Sequence, residues 1–345
     1  MKELKGLLHF ICSVQFWRMV VLWTVSVLTS YWQLFVQSLF SQKSDFFTRH
    51  LPPTTGLTRP VCVITGATSG LGAAAAYALS KEGFSVVLAG RSSHSLSKTM
   101  KGILSRNKDA HVKAFQVDLS SFQSIFKFKD SLQQWLLDSN MHFSIQLLIN
   151  NAGILATSSR LSSEGHDQNS PVPSRIVNVT SFTHRNVFGA QIDNETVTGK
   201  CFLRSKDYPF ARVYEFSKLC LLLFTYELHR QLGLMDNSRH VSVIAADPGV
   251  VKTNIMREVP SSISHVAFIV LKLLGLLQLP ENGINSILDA ALSPPETSGV
   301  YFFGGKGRTV NSSAQSYNSR LAEELWTTSC HLYEEYERAC KELSK

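Results

Sequence analysis

Pro60-Val-Cys-Val-Ile-Thr65-Gly-Ala-Thr-Ser-Gly-Leu-Gly72 is the stretch on which the fold turns. Val61 to Ile64 is a short apolar run between a proline and a glycine, the pattern of a strand buried on both faces. The alanine-rich residues 73–80 that follow read as a helix. Between them lie Gly66, Gly70 and Gly72. A helix start leaves backbone N–H groups unpaired, and residues without Cβ let a ligand come close to them. A dinucleotide pyrophosphate needs both, which makes Thr65, Gly66, Ser69, Gly70, Leu71 and Gly72 candidate cofactor-binding residues.

Working outward, short strand-like runs recur at residues 84–89, 112–117, 145–149, 175–180, 241–246 and 300–303, mostly separated by helical patterns. Such alternation predicts an α/β domain, a doubly wound parallel sheet of Rossmann type covered on both faces. The predicted division is a membrane anchor with its flanks over residues 1–50, a linker over 51–59, and one folded domain over 60–345.

In an open parallel sheet, ligands bind outside the carboxyl ends of the strands. The second run ends in Ala89-Gly-Arg91, and a basic residue there pairs with a 2′-phosphate where an acid would take the ribose hydroxyl. Arg91 therefore favours NADP over NAD. Asp118 follows the third run and fits an adenine contact. The fourth ends in Asn150-Asn-Ala-Gly153, giving Asn151, Ala152 and Gly153 as further candidates, although the same four residues can be a plain turn. Ser181 stands at the end of the fifth, where serine also serves as a helix cap. Tyr214 and Lys218 are four apart on a predicted helix and share one face, as surface pairs also do.

Taken in order, the glycine loop, Asp118, Asn-Asn-Ala-Gly, the strand-end serine, Tyr-x-x-x-Lys and Asp247-Pro-Gly-Val-Val-Lys-Thr253 resemble the short-chain dehydrogenase/reductase family over residues 58–305. The thirty-three positions from Ser181 to Tyr214 resemble the branch holding retinol dehydrogenases, protochlorophyllide reductases and the X-linked dehydrogenase/reductase. The resemblance implies hydride transfer between NADP(H) and an alcohol/carbonyl pair. Tyr214 would be the general acid/base, and Lys218 would favour its phenolate and bond the cofactor ribose. Ser181 would hold the substrate oxygen, while Pro248, Gly249 and Thr253 would seat the nicotinamide.

Composition narrows the partners. The 345 residues carry 34 basic against 26 acidic side chains, a net +8 that is scattered, which speaks against nucleic acid and suits an anionic small ligand or membrane surface. The six cysteines form no C-x-x-C pair, so neither a metal site nor a disulfide framework is expected. Oligomerisation has no support in the sequence.

Residues 19–42 hold no charge; as a helix they would run ~36 Å, enough to cross a bilayer or to lie in its interface. Thr24, Ser26, Thr29, Ser30 and Gln33 weaken the spanning reading. Residues 263–279 are also strongly apolar and read either as a lipid-facing lid or as a buried core helix. Together these segments predict a hydrophobic substrate and attachment to the endoplasmic reticulum or an organelle envelope, the plastid being the alternative.

One departure stands out against the resemblance. The family's long helix between the fourth and fifth strands is missing about twenty residues here; a serine-rich linker with two prolines joins Gly153 to Arg175. Losing five or six buried apolar side chains costs on the order of 10 kcal/mol, comparable to the whole stability of a domain. Three functional readings follow: an active membrane-bound reductase, an impaired variant that binds cofactor at most, and a redox regulator associated with organelle import.

Overall fold

The computed structural model describes residues 12–40, 46–51, 59–139, 145–153, 174–204, 208–234, 241–256, 259 and 261–343. In chain order the main elements are α1 Val14–Phe40, β1 Val61–Thr65, α2 Gly70–Lys81, β2 Ser85–Gly90, α3 Ser93–Arg106 and β3 His111–Gln116. There follow α4 Phe122–Asp138, β4 Leu147–Asn150, β5 Ser174–Val179 and α5 Phe210–Leu234. The chain closes with β6 Val241–Asp247, α6 Ser261–Leu273, α7 Asn285–Ala291, β7 Tyr301–Phe303 and α8 Ser319–Leu343. Most of the expected linker, and all of residues 154–173 including Asn169, lie outside the described residues.

Seven strands form one sheet in the order β3-β2-β1-β4-β5-β6-β7, every neighbouring pair parallel. The doubly wound expectation holds. Winding reverses between β1 and β4, so the loops after their carboxyl ends diverge and open a crevice. Thr65 ends β1 and Asn150 ends β4, which puts the glycine loop and Asn151-Ala152-Gly153 at its two lips.

Right-handed crossovers place α2 and α3 on one face, and α4 and α5, whose connections run the other way, on the opposite face. On the first face Leu79, Val86, Leu88, Ile149 and Ile244 join α7 in the main core. On the second, Val61, Val63 and Val87 pack beneath Leu132 and Leu136 of α4.

The crossover from β4 to β5 would run between α4 and α5, and there the C-terminal helix α8 lies. Leu321, Ala322 and Leu325 pack on Leu219 and Leu223 of α5. Trp326 stacks on Phe224 at 5.7 Å, and further along Tyr336 stacks on Phe122 of α4 at 4.4 Å. Strand β5 is buried throughout. The C-terminal helix thus bridges α5 and α4.

Helix α1 runs beside the catalytic end of the domain. Met19, Ser26, Val27, Ser30 and Leu34 form its buried stripe. Trp17, Val21, Val25, Leu28, Trp32, Phe35 and Leu39 are exposed at steps of three and four, which makes an outward apolar stripe. Among the described residues it is the one helix long and apolar enough to cross a membrane. In α6, Val266, Ile269, Val270 and Leu273 are exposed, which removes the core-helix alternative for that segment.

Candidate active site

The glycine loop leaves β1 in a tight turn. Gly66 has φ +64°, and a Cβ on it would sit 2.9 Å from the Ala152 Cα. A Cβ on Gly72 would collide with the Gly66 carbonyl and lie 2.5 Å from the Asn151 amide nitrogen. That amide donates to the Thr65 carbonyl at 2.9 Å, while the Thr65 hydroxyl accepts from the N–H groups of Asn151 and Ala152 at 3.1 and 3.0 Å. The two lips of the crevice are therefore one bonded unit. Ser69 caps α2 without a side-chain bond, so the first-turn N–H groups, those of Gly70 and Leu71 included, have no partner within the helix.

Arg91 follows β2 directly and is exposed. Asp118, past β3, accepts from the backbone and hydroxyl of Ser120 at 3.0 and 2.7 Å. These bonds hold its carboxyl below the usual range, and the charge of Arg91 adds to the effect. Both residues sit past the carboxyl ends of β2 and β3, on one side of the crevice. Thr253 comes from the other side, its methyl 3.1 Å from where a Gly70 Cβ would be. The unpartnered N–H groups and the Cβ-free turn fit a dinucleotide pyrophosphate.

On the far side of the crevice Ser181, Tyr214 and Lys218 come together. The Tyr214 phenol lies near the Ser181 side chain, which favours its phenolate form. The Lys218 ammonium donates to the Val179 carbonyl at 3.0 Å and lies 5.6 Å from the Tyr214 ring centre. Burial and the negative charge of Asp247 outweigh Ser181 and raise the phenol above its ordinary value. These influences favour the protonated form of the phenol. Burial lowers Lys218 to about 8, partly offset by Asp247.

Asp247 is fully buried, and burial lifts it to about 6 although it accepts from the Tyr301 hydroxyl at 2.5 Å and the Gly249 N–H at 2.7 Å. Those two bonds pin the loop that follows β6. The Pro248 carbonyl accepts from the Gln278 amide at 3.2 Å, which ties the same loop to the segment after α6. Ser181 is pinned as well. The His184 ring shares a hydrogen with the Ser181 carbonyl at 2.6 Å and accepts from the Ser313 N–H at 3.0 Å. With Nε2 accepting, Nδ1 carries the proton, and burial pulls this imidazole down to about 3, so it stays neutral.

Sequence reasoning gave no site role to His184, Tyr301, Glu215 or Trp23. Glu215 follows Tyr214 and is 1% exposed; its carboxylate takes the Arg18 guanidinium at 2.8 Å and the Trp23 N–H at 2.8 Å. The Trp23 ring centre lies 5.6 Å from that of Tyr214. Further along α1, the Ser26 hydroxyl donates to Asn186 at 2.6 Å and the Ser30 hydroxyl accepts from Arg185 at 3.3 Å. Arg18, the charge that breaks the apolar run, could have hinted at a docking contact, but its partner is 197 positions away.

A seven-stranded doubly wound sheet with a glycine turn at one lip and a serine, tyrosine and lysine at the other defines a nucleotide-dependent oxidoreductase. The chain belongs to the short-chain dehydrogenases, whose family model matches residues 60–263, and that family binds NAD(P). It is similar to human polyprenol dehydrogenase, 28% identical over 301 residues that cover 79% of this chain and 84% of that one. It is also similar to human retinol dehydrogenase 13, 26% identical over 298 residues covering 78% and 83%. Among solved structures, an NADPH-bound short chain oxidoreductase of Pseudomonas aeruginosa PAO1 shares the fold with a TM-score of 0.51, at 17% identity, covering 73% of this chain and 98% of that one.

Proposed function

We propose that this chain is an NADP-dependent reductase of a carbonyl on a hydrophobic, isoprenoid-like substrate, and that it works at a lipid surface. The observation that carries this reading is the meeting of Ser181, Tyr214 and Lys218 at the carboxyl edge of the sheet, with the Lys218 ammonium 5.6 Å from the Tyr214 ring centre and 3.0 Å from the Val179 carbonyl. A phenol donates its proton as a carbonyl oxygen becomes a hydroxyl, the direction proposed here, and takes it back in the reverse. Ser181 holds that oxygen, and Tyr214 gives it a proton. Lys218 supplies a nearby positive charge as phenolate forms, which limits the cost of the transfer.

Thr65, Gly66, Ser69, Gly70, Leu71 and Gly72 would hold the pyrophosphate, Arg91 the 2′-phosphate and Asp118 the adenine. Asn151, Ala152 and Gly153 line the adjoining lip. Tyr214 and Lys218 would also bond the nicotinamide ribose, and Pro248, Gly249 and Thr253 would seat the ring. When bound, the nicotinamide supplies the hydride.

The hydrophobic substrate class draws support from the relatives named for polyprenol and retinol and from the exposed apolar face of α6. Helix α1 spends its polar stripe on the domain and turns an apolar stripe, with Trp17 and Trp32 along it, outward. That pattern suits a helix lying in a membrane interface better than one crossing it. The bridging of α4 and α5 by α8 favours the active reading over the impaired variant.

The test uses the full-length protein in detergent micelles with NADPH and retinaldehyde. Turnover is expected, and Tyr214→Phe should lower it by roughly 10²–10⁴-fold while NADPH binding stays. Cofactor binding without any wild-type turnover would establish the impaired variant instead.

A further inference from the structure

The helix expected to leave the domain for the membrane instead touches the candidate site at three places. Trp23 lies on Tyr214. Ser26 bonds Asn186 in the turn that Ser181 begins. The Tyr31 hydroxyl lies 3.7 Å from where a Gly249 Cβ would be. These contacts border the position of a reacting carbonyl from the phenol side to the nicotinamide side.

We infer that α1 forms a wall of the substrate site and that Trp23 is the residue on it that selects the hydrophobic chain of the substrate. The inference rests on the proposed role of Tyr214. The indole is set by a clamp built on the same helix as the phenol. Glu215, next in the chain after Tyr214, holds the Trp23 N–H and is itself held by Arg18, so ring and phenol keep a common reference. The bond fixes the ring orientation and leaves its faces for apolar contact. Trp23 is only half-buried, whereas Met19 and Val27 on the same stripe are closed off. Around it Phe16, Met19, Ile255, Met256, Val259 and Ile263 form one apolar cluster that joins α1 to the start of α6. A flat chain of conjugated or isolated alkenes offers the π-face that an indole wall prefers, and a short aldehyde covers little of it.

Two aldehydes with the same enal head separate this idea from a general structural role: retinaldehyde, with a long chain, and 3-methylbut-2-enal, with almost none. Trp23→Ala in the full-length protein is expected to lower kcat/KM for retinaldehyde about tenfold through KM, and to leave that for 3-methylbut-2-enal within about twofold. Trp23→Phe should recover most of the loss. Equal losses on both substrates, or no change on either, overturn the inference. Should Trp23→Ala fail to fold, Trp23→Phe decides: a rise in KM confined to retinaldehyde supports the wall, and an unselective effect refutes it. Retinaldehyde binding measured directly in Tyr214→Phe, with and without Trp23→Ala, separates the two claims. Weaker binding there supports the wall even if the proton-donor role of Tyr214 fails, and unchanged binding refutes the wall even if that role holds.

Discussion

Replacing Leu321 and Leu325 by alanine tests whether the C-terminal helix α8 stabilises the helix it packs against. The two side chains are 2% and 5% exposed, and they press on Leu219 and Leu223 of α5, the helix that carries Tyr214 and Lys218. Each Leu→Ala change in a packed core costs about 2–5 kcal/mol. One turn apart, the two share a cavity and will not add fully, so the pair should cost about 4–7 kcal/mol. At ~2–4 °C per kcal/mol for a body of this size, thermal unfolding of the full chain should shift down by roughly 10–20 °C. Thr327→Ala, exposed on the same helix, should stay within about 0.5 kcal/mol of the parent. NADPH affinity of the double variant should fall as well, because α5 loses its backing. A double variant that melts with the parent would refute the idea that α8 covers this face.

The remaining expectations concern cofactor, turn and pH. Arg91→Ala removes a charge-assisted bond worth about 1.5–3 kcal/mol, so NADPH should bind about 10–100-fold more weakly with NADH unchanged in a fluorescence titration. Gly72→Ala drives a methyl group into the Gly66 carbonyl, and cofactor binding should be lost with a lower melting temperature. Asp247 is raised to about 6, so between the ordinary carboxylate value and about 6 the folded chain binds the extra proton, and stability should fall as pH rises through that window. Lys218 is lowered to about 8, so from about 8 to the ordinary lysine value the unfolded chain binds the extra proton, and stability should rise with pH. Denaturant melts of Asp247→Asn against the parent should lose the acid limb.

Elements built from local pattern were legible in the sequence. Each of the seven strands falls on a run read from the sequence; the inner ones are mostly apolar because a buried parallel strand needs little beyond β-branched and aliphatic residues, while the edge strand β3, His111–Gln116, is mixed and largely open. The turn after β1 was legible because only glycines fit where Gly66 and Gly72 stand. Contacts between distant segments were not. Ser26 and Ser30 look like defects in a membrane span until Asn186 and Arg185 are seen beside them, whereas Thr24 and Thr29 bond carbonyls of their own helix. Glu215 reads as an ordinary helical acid until Arg18 and Trp23 fold onto it. The pairing of α8 with α5 depends on an apolar face of α5 that only the sheet topology leaves free.

Transfer of hydrogen from cofactor to substrate is the step on which the whole account depends, and isotope labelling reads it directly. NADPH carrying deuterium at the transferable nicotinamide position should be incubated with full-length protein and retinaldehyde, and the alcohol product weighed by mass spectrometry. One deuterium per product molecule, absent with Tyr214→Phe, is the predicted result. Unlabelled product, or labelling that persists without the phenol, would contradict it.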